Sequence, residues 1–147
     1  MSKFPRSDNI EELNPEFRRK LKDVLARCPW MQVWEAGRSN ERQQYLYDKG
    51  GVTKAKAGQS AHNYFAAADL VLDPRYVKLP TRTHKGKEYP SLWDTSSPEV
   101  RALWFLYGQT AEEFGLVWGG RFGKLDENGM GFDPPHVELK DWRKLRK

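Results

Sequence analysis

Apolar residues recur at helical spacing near the start of the chain. Asn14 is a typical N-cap, Pro15 fits the first helical position and Pro29 ends the pattern, so a helix is predicted between them. Charged residues fill the opposite face of this helix. Its apolar stripe consists of Phe17, Leu21, Val24, Leu25 and Cys28. Cys28 is therefore predicted to be a buried thiol.

Two further helices are predicted, over residues 40–48 and 97–114. Ser97 precedes a proline and repeats the cap signature of the first helix, and Gly115 fits the position after the last turn of the longer one. The residues of the longer helix that we expect to contact the core are Leu103, Leu106, Tyr107 and Phe114.

Short apolar runs between turn residues predict four strands. They cover residues 31–36, 66–72, 116–118 and 136–139. The second run is the most apolar segment of the chain, and the Asp-Pro pair that follows it favours a strand over a helix. Residues 73–97 contain several prolines among charged residues, which indicates an irregular insertion or a weak hairpin. Helices segregated from short strands predict an α+β fold.

Composition indicates one folded domain. Aromatic residues make up 13% of the 147 residues, which is too rich for a disordered chain, and no apolar stretch approaches the ~20 residues of a membrane span. We expect a single catalytic domain over 1–147, with a loose arm at 1–13 and a basic tail at 140–147. A single cysteine excludes a disulfide framework and a multi-cysteine zinc site. The net charge of +5 favours a polyanionic neighbour such as nucleic acid or cell wall.

A carboxylate stands inside the most apolar predicted strand. Asp69 would be costly to bury there without a partner, and His62 lies just before the strand. His136 follows Asp133 across two prolines, which fix the backbone between the carboxylate and the imidazole. Two imidazoles and one carboxylate would make a three-ligand zinc set with one open position. Asp133, or Glu138 as the second choice, could then act as a general base.

Four segments of the chain resemble motifs of a known family, and they follow one another in the same order as in that family. The central one, Ser60-x-His62-x-x-Phe65-x-Ala67-x-Asp69, is similar to the SxHxxGxAxD motif of zinc cell-wall peptidases, the family of D-Ala-D-Ala carboxypeptidases and L-alanyl-D-glutamate peptidases. The last ligand motif of that family resembles Asp133-x-x-His136-Val137-Glu138-Leu139. Two other segments, 35–50 with its Gly-Arg pair and 116–120 with its Trp-Gly-Gly run, also match. The motif glycine is Phe65 here, which puts the local backbone in question because glycine often permits a positive φ.

The resemblance implies a fold and a role for each matching residue. The fold would be a compact domain with a small antiparallel sheet and flanking helices, as in D,D-peptidases and Hedgehog proteins. His62, Asp69 and His136 would bind Zn²⁺, and Asp133 would take a proton from the attacking water and pass it to the leaving amine. Arg38 would contact the substrate or the developing oxyanion. The residues expected to face the substrate or to support the ligands are Ser60, Gln43 and Glu138.

The predicted function is hydrolysis of the L-alanyl-D-glutamate bond in peptidoglycan stem peptides, as in a phage or prophage endolysin. The Asp at position 133 and the absence of a signal peptide favour this over a D-alanyl-D-alanine carboxypeptidase on the same zinc site. A non-catalytic zinc-stabilised binding domain is disfavoured because Asp133 and Arg38 are both present. His84, the third histidine, lies in a charged loop and is expected to be a surface residue.

Partners and location follow from the same hypothesis. We expect a monomer that waits in the host cytoplasm until release and then acts on the cell wall. The partner would be the stem peptide of peptidoglycan. Nucleic-acid binding is not expected, because no helix-turn-helix or other nucleic-acid signature accompanies the basic charge. Membrane insertion is not expected either, because the chain has no apolar stretch of sufficient length.

Overall fold

Three helices flank the sheet of the protein. The structure is a computed structural model that describes residues 4–51, 53 and 55–146. Its helices are α1 (Pro15–Arg27), α2 (Asn40–Lys49) and α3 (Pro98–Glu113). The side chains of Asn14, Ser39 and Ser97 accept hydrogen bonds from the first-turn amides of these helices. No helix in this described part of the chain is long and apolar enough to span a bilayer.

Four antiparallel strands form the main sheet, in the order β1-β2-β6-β5. They are β1 (Met31–Glu35), β2 (Ala67–Leu72), β5 (Leu116–Trp118) and β6 (His136–Leu139). A separate hairpin pairs β3 (Thr81–His84) with β4 (Lys87–Pro90). This segment is the one for which the sequence allows either an irregular insertion or a weak hairpin. The predicted single α+β domain with a small antiparallel sheet is therefore confirmed.

The core packs α1 and α3 against the main sheet. Phe17, Leu21, Val24 and Cys28 are fully buried, as the helical stripe predicts. The prediction for α3 is wrong at Leu106, which is 49% exposed. The residues of α3 that the core buries are Val100, Trp104, Tyr107, Gly108 and Ala111. This buried stripe includes Tyr107, the residue next to Leu106.

The N-terminal segment lies against the body of the protein, unlike the loose arm that the sequence predicts for residues 1–13. Ile10–Glu12 form a 3₁₀ turn, Leu13 is buried, and the carbonyl of Ser7 accepts a hydrogen bond from the amide of Ala36. Residues 1–3 of the predicted arm lie outside the described residues. In the basic tail, Trp142 is buried and belongs to the 3₁₀ turn Trp142–Leu145.

Candidate active site

Strand pairing brings the three predicted ligands together. Asp69 in β2 lies directly opposite His136, the first residue of β6. His62 belongs to the 3₁₀ helix Ala61–Tyr64, which leads into β2. One ligand atom from each of the three residues lies within 4.8 Å of the other two. The set therefore converges because the antiparallel register joins two segments that are 67 residues apart.

Hydrogen bonds on the far side of each imidazole fix which nitrogen faces the cluster. Nδ1 of His62 donates to the carbonyl of Ala36 at 3.0 Å, which leaves Nε2 towards Asp69. In His136, Nε2 lies 2.7 Å from Oε1 of Glu138, and Nδ1 lies 3.3 Å from Oδ1 of Asp69. Such partners set the tautomer and the ring orientation of a metal-binding histidine.

Glu138 stands behind His136. Its second oxygen, Oε2, accepts a hydrogen bond of 2.8 Å from the indole nitrogen of Trp142. The chain of contacts therefore runs from the C-terminal turn through Glu138 to His136. This position suits a carboxylate that orients a ligand, which the sequence analysis gave as one of its options for Glu138.

The electrostatics of the cluster favour a cation. Burial lowers the pKa of His136, but hydrogen bonds to Asp69 and Glu138, together with the charges of Asp69 and Asp133, outweigh it and raise this pKa to about 10. Burial also opposes ionisation of Asp69, yet the two histidines hold the pKa of Asp69 well below its ordinary value. Two imidazole nitrogens and one carboxylate oxygen are the donor set of a catalytic zinc site. The structure thus brings the three predicted ligands together as a group that could hold a metal ion, with donors that suit Zn²⁺.

Arg38 lies in a buried polar cluster behind Asp69. Its Nη2 is 2.7 Å from Oε1 of Glu35 and 3.7 Å from Oδ2 of Asp69, and its Nη1 donates to Oε1 of Gln43 at 2.9 Å. Gln43 in turn donates to the carbonyl of Ala55 at 2.6 Å. The guanidinium therefore holds Asp69 from behind while it still lines the cleft.

Glu35 is the residue of this cluster to which the sequence analysis gave no role. Its buried carboxylate contacts both Arg38 and Arg42. Burial opposes its ionisation, but hydrogen bonds from the two arginines lower its pKa below the ordinary value. A signal was present in the sequence: an acid at the end of an apolar strand, three residues before an arginine, needs a buried partner.

Asp133 is positioned by a rigid Pro-Pro turn. The hydroxyl of Tyr107 donates to the carbonyl of Pro135 at 2.7 Å, and the indole of Trp118 donates to the carbonyl of Pro134 at 2.7 Å. Oδ2 of Asp133 lies 4.0 Å from Nδ1 of His136, beside the ligand set and half-exposed to the cleft. Burial, with a smaller contribution from the charge of Asp69, raises the pKa of Asp133 above that of an ordinary carboxyl.

Ser60 and Phe65 bracket the 3₁₀ helix that carries His62. The Ser60 hydroxyl accepts a hydrogen bond from the amide of His62, so this residue caps the helix. Phe65 ends the helix with φ of 56° and ψ of 31°, in the left-handed region. The position therefore has the backbone that a glycine would adopt freely, and the ring of Phe65 packs on Gly37.

A cleft of about 820 Å³ contains the candidate metal site. Of the predicted site residues, six line this cleft: Arg38, Ser60, His62, Asp69, Asp133 and His136. Gln43 and Glu138 lie behind the lining and contact Arg38 and His136. His84 is exposed on β3, as predicted for a surface residue.

Comparison with known proteins shows the fold. No protein-family model matches the chain. The LD-carboxypeptidase LdcB, studied for peptidoglycan recognition, is similar over 97% of this chain and 68% of its own, with a TM-score of 0.58 and 17% identity. VanYB in complex with D-alanine-D-alanine is similar over 99% of this chain and 82% of its own, with a TM-score of 0.58 and 15% identity.

A variant of the vancomycin-resistance D,D-pentapeptidase VanY, in complex with Zn(II), gives a TM-score of 0.56 at 17% identity, over 99% of this chain and 82% of its own. The chain has the fold of these peptidases. At such low identity the likeness concerns the fold, and the chemistry of the chain rests on its own residues.

Proposed function

We propose that the chain is a zinc-dependent peptidoglycan hydrolase that cleaves the stem peptide at the L-alanyl-D-glutamate bond. The observation that carries the proposal is the arrangement around the zinc site. His62, Asp69 and His136 converge within 4.8 Å, and Asp133 stands on the same cleft without belonging to that set. A ligand triad with an independent carboxylate beside it is the minimum that metal-assisted amide hydrolysis requires.

Each residue has a distinct part in the proposed reaction. His62, Asp69 and His136 would hold Zn²⁺, which would supply Lewis-acid chemistry to the hydrolysis when bound. Asp133 accepts the proton of the attacking water and delivers it to the leaving amine. Burial raises the pKa of Asp133 above its ordinary value, a direction that favours acceptance of a proton by this carboxylate.

Arg38 stabilises the negative charge of the site. Its guanidinium is fixed by Glu35 and Gln43 and lines the cleft next to Asp69. Because these contacts hold it in place before substrate arrives, its positive charge costs little reorganisation when an oxyanion develops. Arg38 also orients Asp69, so we assign it an electrostatic and a positioning role together.

The choice of an endopeptidase rests on the motif resemblance and on Asp at position 133. The cleft continues past Trp93 into a neighbouring hollow, which gives room for the part of the substrate on the N-terminal side of the scissile bond. Substrates of an endopeptidase and of a carboxypeptidase both have this part. Lys49 on α2 adds positive charge to the lining, which suits the carboxylates of a stem peptide. Removal of terminal D-Ala by the same zinc site is the second candidate, favoured by the fold neighbour that holds D-alanine-D-alanine.

The proposed biological role is lysis of a bacterial host by a phage or prophage enzyme. It rests on the resemblance of the motifs and on Asp at position 133. A monomer held in the host cytoplasm until release, with the stem peptide as partner, completes the proposal. A non-catalytic binding domain would have no need of Asp133 on the cleft beside the ligands.

Digestion of purified peptidoglycan, followed by mass analysis of the products, tests the proposal. The zinc-loaded protein is expected to release peptides that begin at D-Glu and to leave L-Ala on the muramic acid, and a chelator is expected to abolish the release. The variant Asp133→Asn serves as the matched control, since it keeps the three ligands. Loss of terminal D-Ala alone would support the carboxypeptidase, and intact peptidoglycan after digestion would refute hydrolysis altogether.

A further inference from the structure

A β-bulge in β1 turns Trp34 towards the cleft. Val33 pairs with Leu70 and Glu35 pairs with Asp69, so Trp34 is an extra residue opposite none in β2. In a regular strand Trp34 and Glu35 would face opposite sides, but here both line the cleft. The bulge therefore places the indole of Trp34 in the cleft. Trp34 lies next to Glu35, the residue that pairs with the proposed zinc ligand Asp69.

Trp93 meets this indole to form an aromatic wall, defined by Trp34 and Trp93. The two ring centroids are 4.6 Å apart at an interplanar angle of 78°, and Trp93 is 40% exposed. Arg6 stacks on Trp34, with its guanidinium carbon 3.6 Å from the ring centroid. An edge-to-face pair of this kind holds each ring in one orientation.

The backbone on both sides of Trp93 is anchored. The carbonyl of Leu92 accepts a hydrogen bond from the amide of Leu72 in β2 at 3.0 Å. The carbonyl of Asp94 accepts one from the indole of Trp104 in α3 at 2.8 Å. The exposed ring of Trp93 is thus presented by a fixed segment, as in preorganised ligand sites.

Polar groups continue beyond the aromatic wall. A second hollow of about 380 Å³ shares Trp93 and Thr95 with the catalytic cleft. Its other lining residues are Arg82, Ser91, Asp94 and Ser96. One aromatic face beside hydroxyl groups and a guanidinium matches a carbohydrate, whose C–H face packs on a ring while its hydroxyl and amide groups form hydrogen bonds.

The proposed bond requires a sugar near the zinc site, in the cleft that Trp34 and Trp93 line. In a stem peptide, L-Ala is the only residue between the scissile bond and the lactyl group of muramic acid. One residue spans at most about 3.6 Å, so the sugar must contact the cleft wall close to the zinc site. A substrate cut at any bond further along the peptide would place its sugar correspondingly farther away.

We propose that the wall of Trp34 and Trp93 is a subsite for the N-acetylmuramic acid residue to which the stem peptide is attached. The inference rests on the proposed function and extends it from the peptide to the glycan. It makes the enzyme selective for stem peptides that are still joined to the sugar. Free peptides of the same sequence would be poorer substrates.

Two substrates that differ only in the sugar test the subsite. One is a muropeptide with its N-acetylmuramic acid, and the other is the same peptide with an acetyl group on L-Ala. The wild-type protein is expected to prefer the muropeptide in kcat/KM by about tenfold, the usual order for one well-packed aromatic contact. Trp93→Ala is expected to lower kcat/KM for the muropeptide several-fold more than for the free peptide, so that the preference falls to about twofold or less.

Two further variants separate recognition from folding. Trp93→Leu keeps apolar bulk without the ring face and is expected to lose the preference as well. Tyr76→Ala removes an aromatic residue that is 63% exposed and lies outside both hollows, and it is expected to keep the preference.

Equal loss on both substrates in Trp93→Ala and Trp93→Leu would overturn the subsite and assign the wall to the peptide or to the fold. An unchanged preference in both variants would also overturn it. A wild-type protein that cleaves neither substrate would instead refute the proposed function, and the subsite with it.

Discussion

Gly37 and Phe65 are coupled through direct contact next to the catalytic site. Gly37 has no left-handed φ, so its backbone would accept alanine, but an added Cβ would overlap Cδ1 and Cε1 of the Phe65 ring. The amide of Arg38 donates to the carbonyl of His62 at 3.0 Å, which ties the two segments together. The contact between glycine and phenylalanine therefore sets the spacing between Arg38 and His62.

The expected cost of Gly37→Ala follows from this overlap. Forcing one extra methyl group into a packed site costs about 1–3 kcal/mol of unfolding free energy, and the 36% exposure of Phe65 favours the lower part of that range. Phe65→Gly alone relieves a left-handed non-glycine residue, worth roughly 1–2 kcal/mol. It also loses ring contact and adds about 0.5–1 kcal/mol of backbone entropy cost, so the net change is small.

A double-mutant cycle measures the coupling. In the Phe65→Gly background, Gly37→Ala meets no ring and is expected to cost almost nothing, which gives a coupling energy of about 1 kcal/mol or more. Urea denaturation at one fixed zinc concentration measures each variant, because a ligand that binds the native state changes its apparent stability. Equal costs of Gly37→Ala in both backgrounds would refute the reasoning.

Two more predictions concern the groups behind the ligands. Glu138→Ala is expected to weaken zinc binding by about 10–100-fold, measured by competition with a chelator, because His136 loses the carboxylate that orients it. Trp142→Phe is expected to weaken binding less, since it removes only the donor to Glu138, and unchanged affinity in both variants would contradict the proposed chain of contacts. Arg38→Lys is expected to keep zinc but to lose most of its turnover, because an ammonium cannot contact Glu35 and Gln43 as a planar fork does; near-full activity would show that the fork is dispensable.

Local sequence patterns predict the three helices and the four strands of the main sheet. Caps and prolines bound each helix, and an isolated Asp in an apolar strand marked Asp69 as a residue in need of a partner. The pairing of Asp69 with His136 comes from sheet register, which short-range patterns do not specify. Resemblance to a family, and not spacing alone, joined these residues into one site.

Other features depend on contacts that no local pattern encodes. The bulge at Trp34 breaks the alternation on which strand predictions rely, so its indole reaches a face that the sequence assigns to its neighbours. The sequence predicts a core position for Leu106, but the structure exposes it. Helical spacing alone does not show which of two adjacent rows of apolar residues faces the core. Trp142 reaches Glu138 from a tail whose basic charge gave no sign of a buried contact.

The most direct test of the account compares zinc content and turnover in His136→Ala and Asp133→Asn. The account predicts that His136→Ala loses zinc together with activity, because it removes one of three protein ligands. Asp133→Asn is predicted to fold, to keep about one zinc per chain, and to lose roughly 10²–10⁴-fold in turnover, the usual effect of a missing general base. Loss of zinc from Asp133→Asn would make Asp133 a ligand, and full activity in that variant would place the base elsewhere; either result would contradict the assignment.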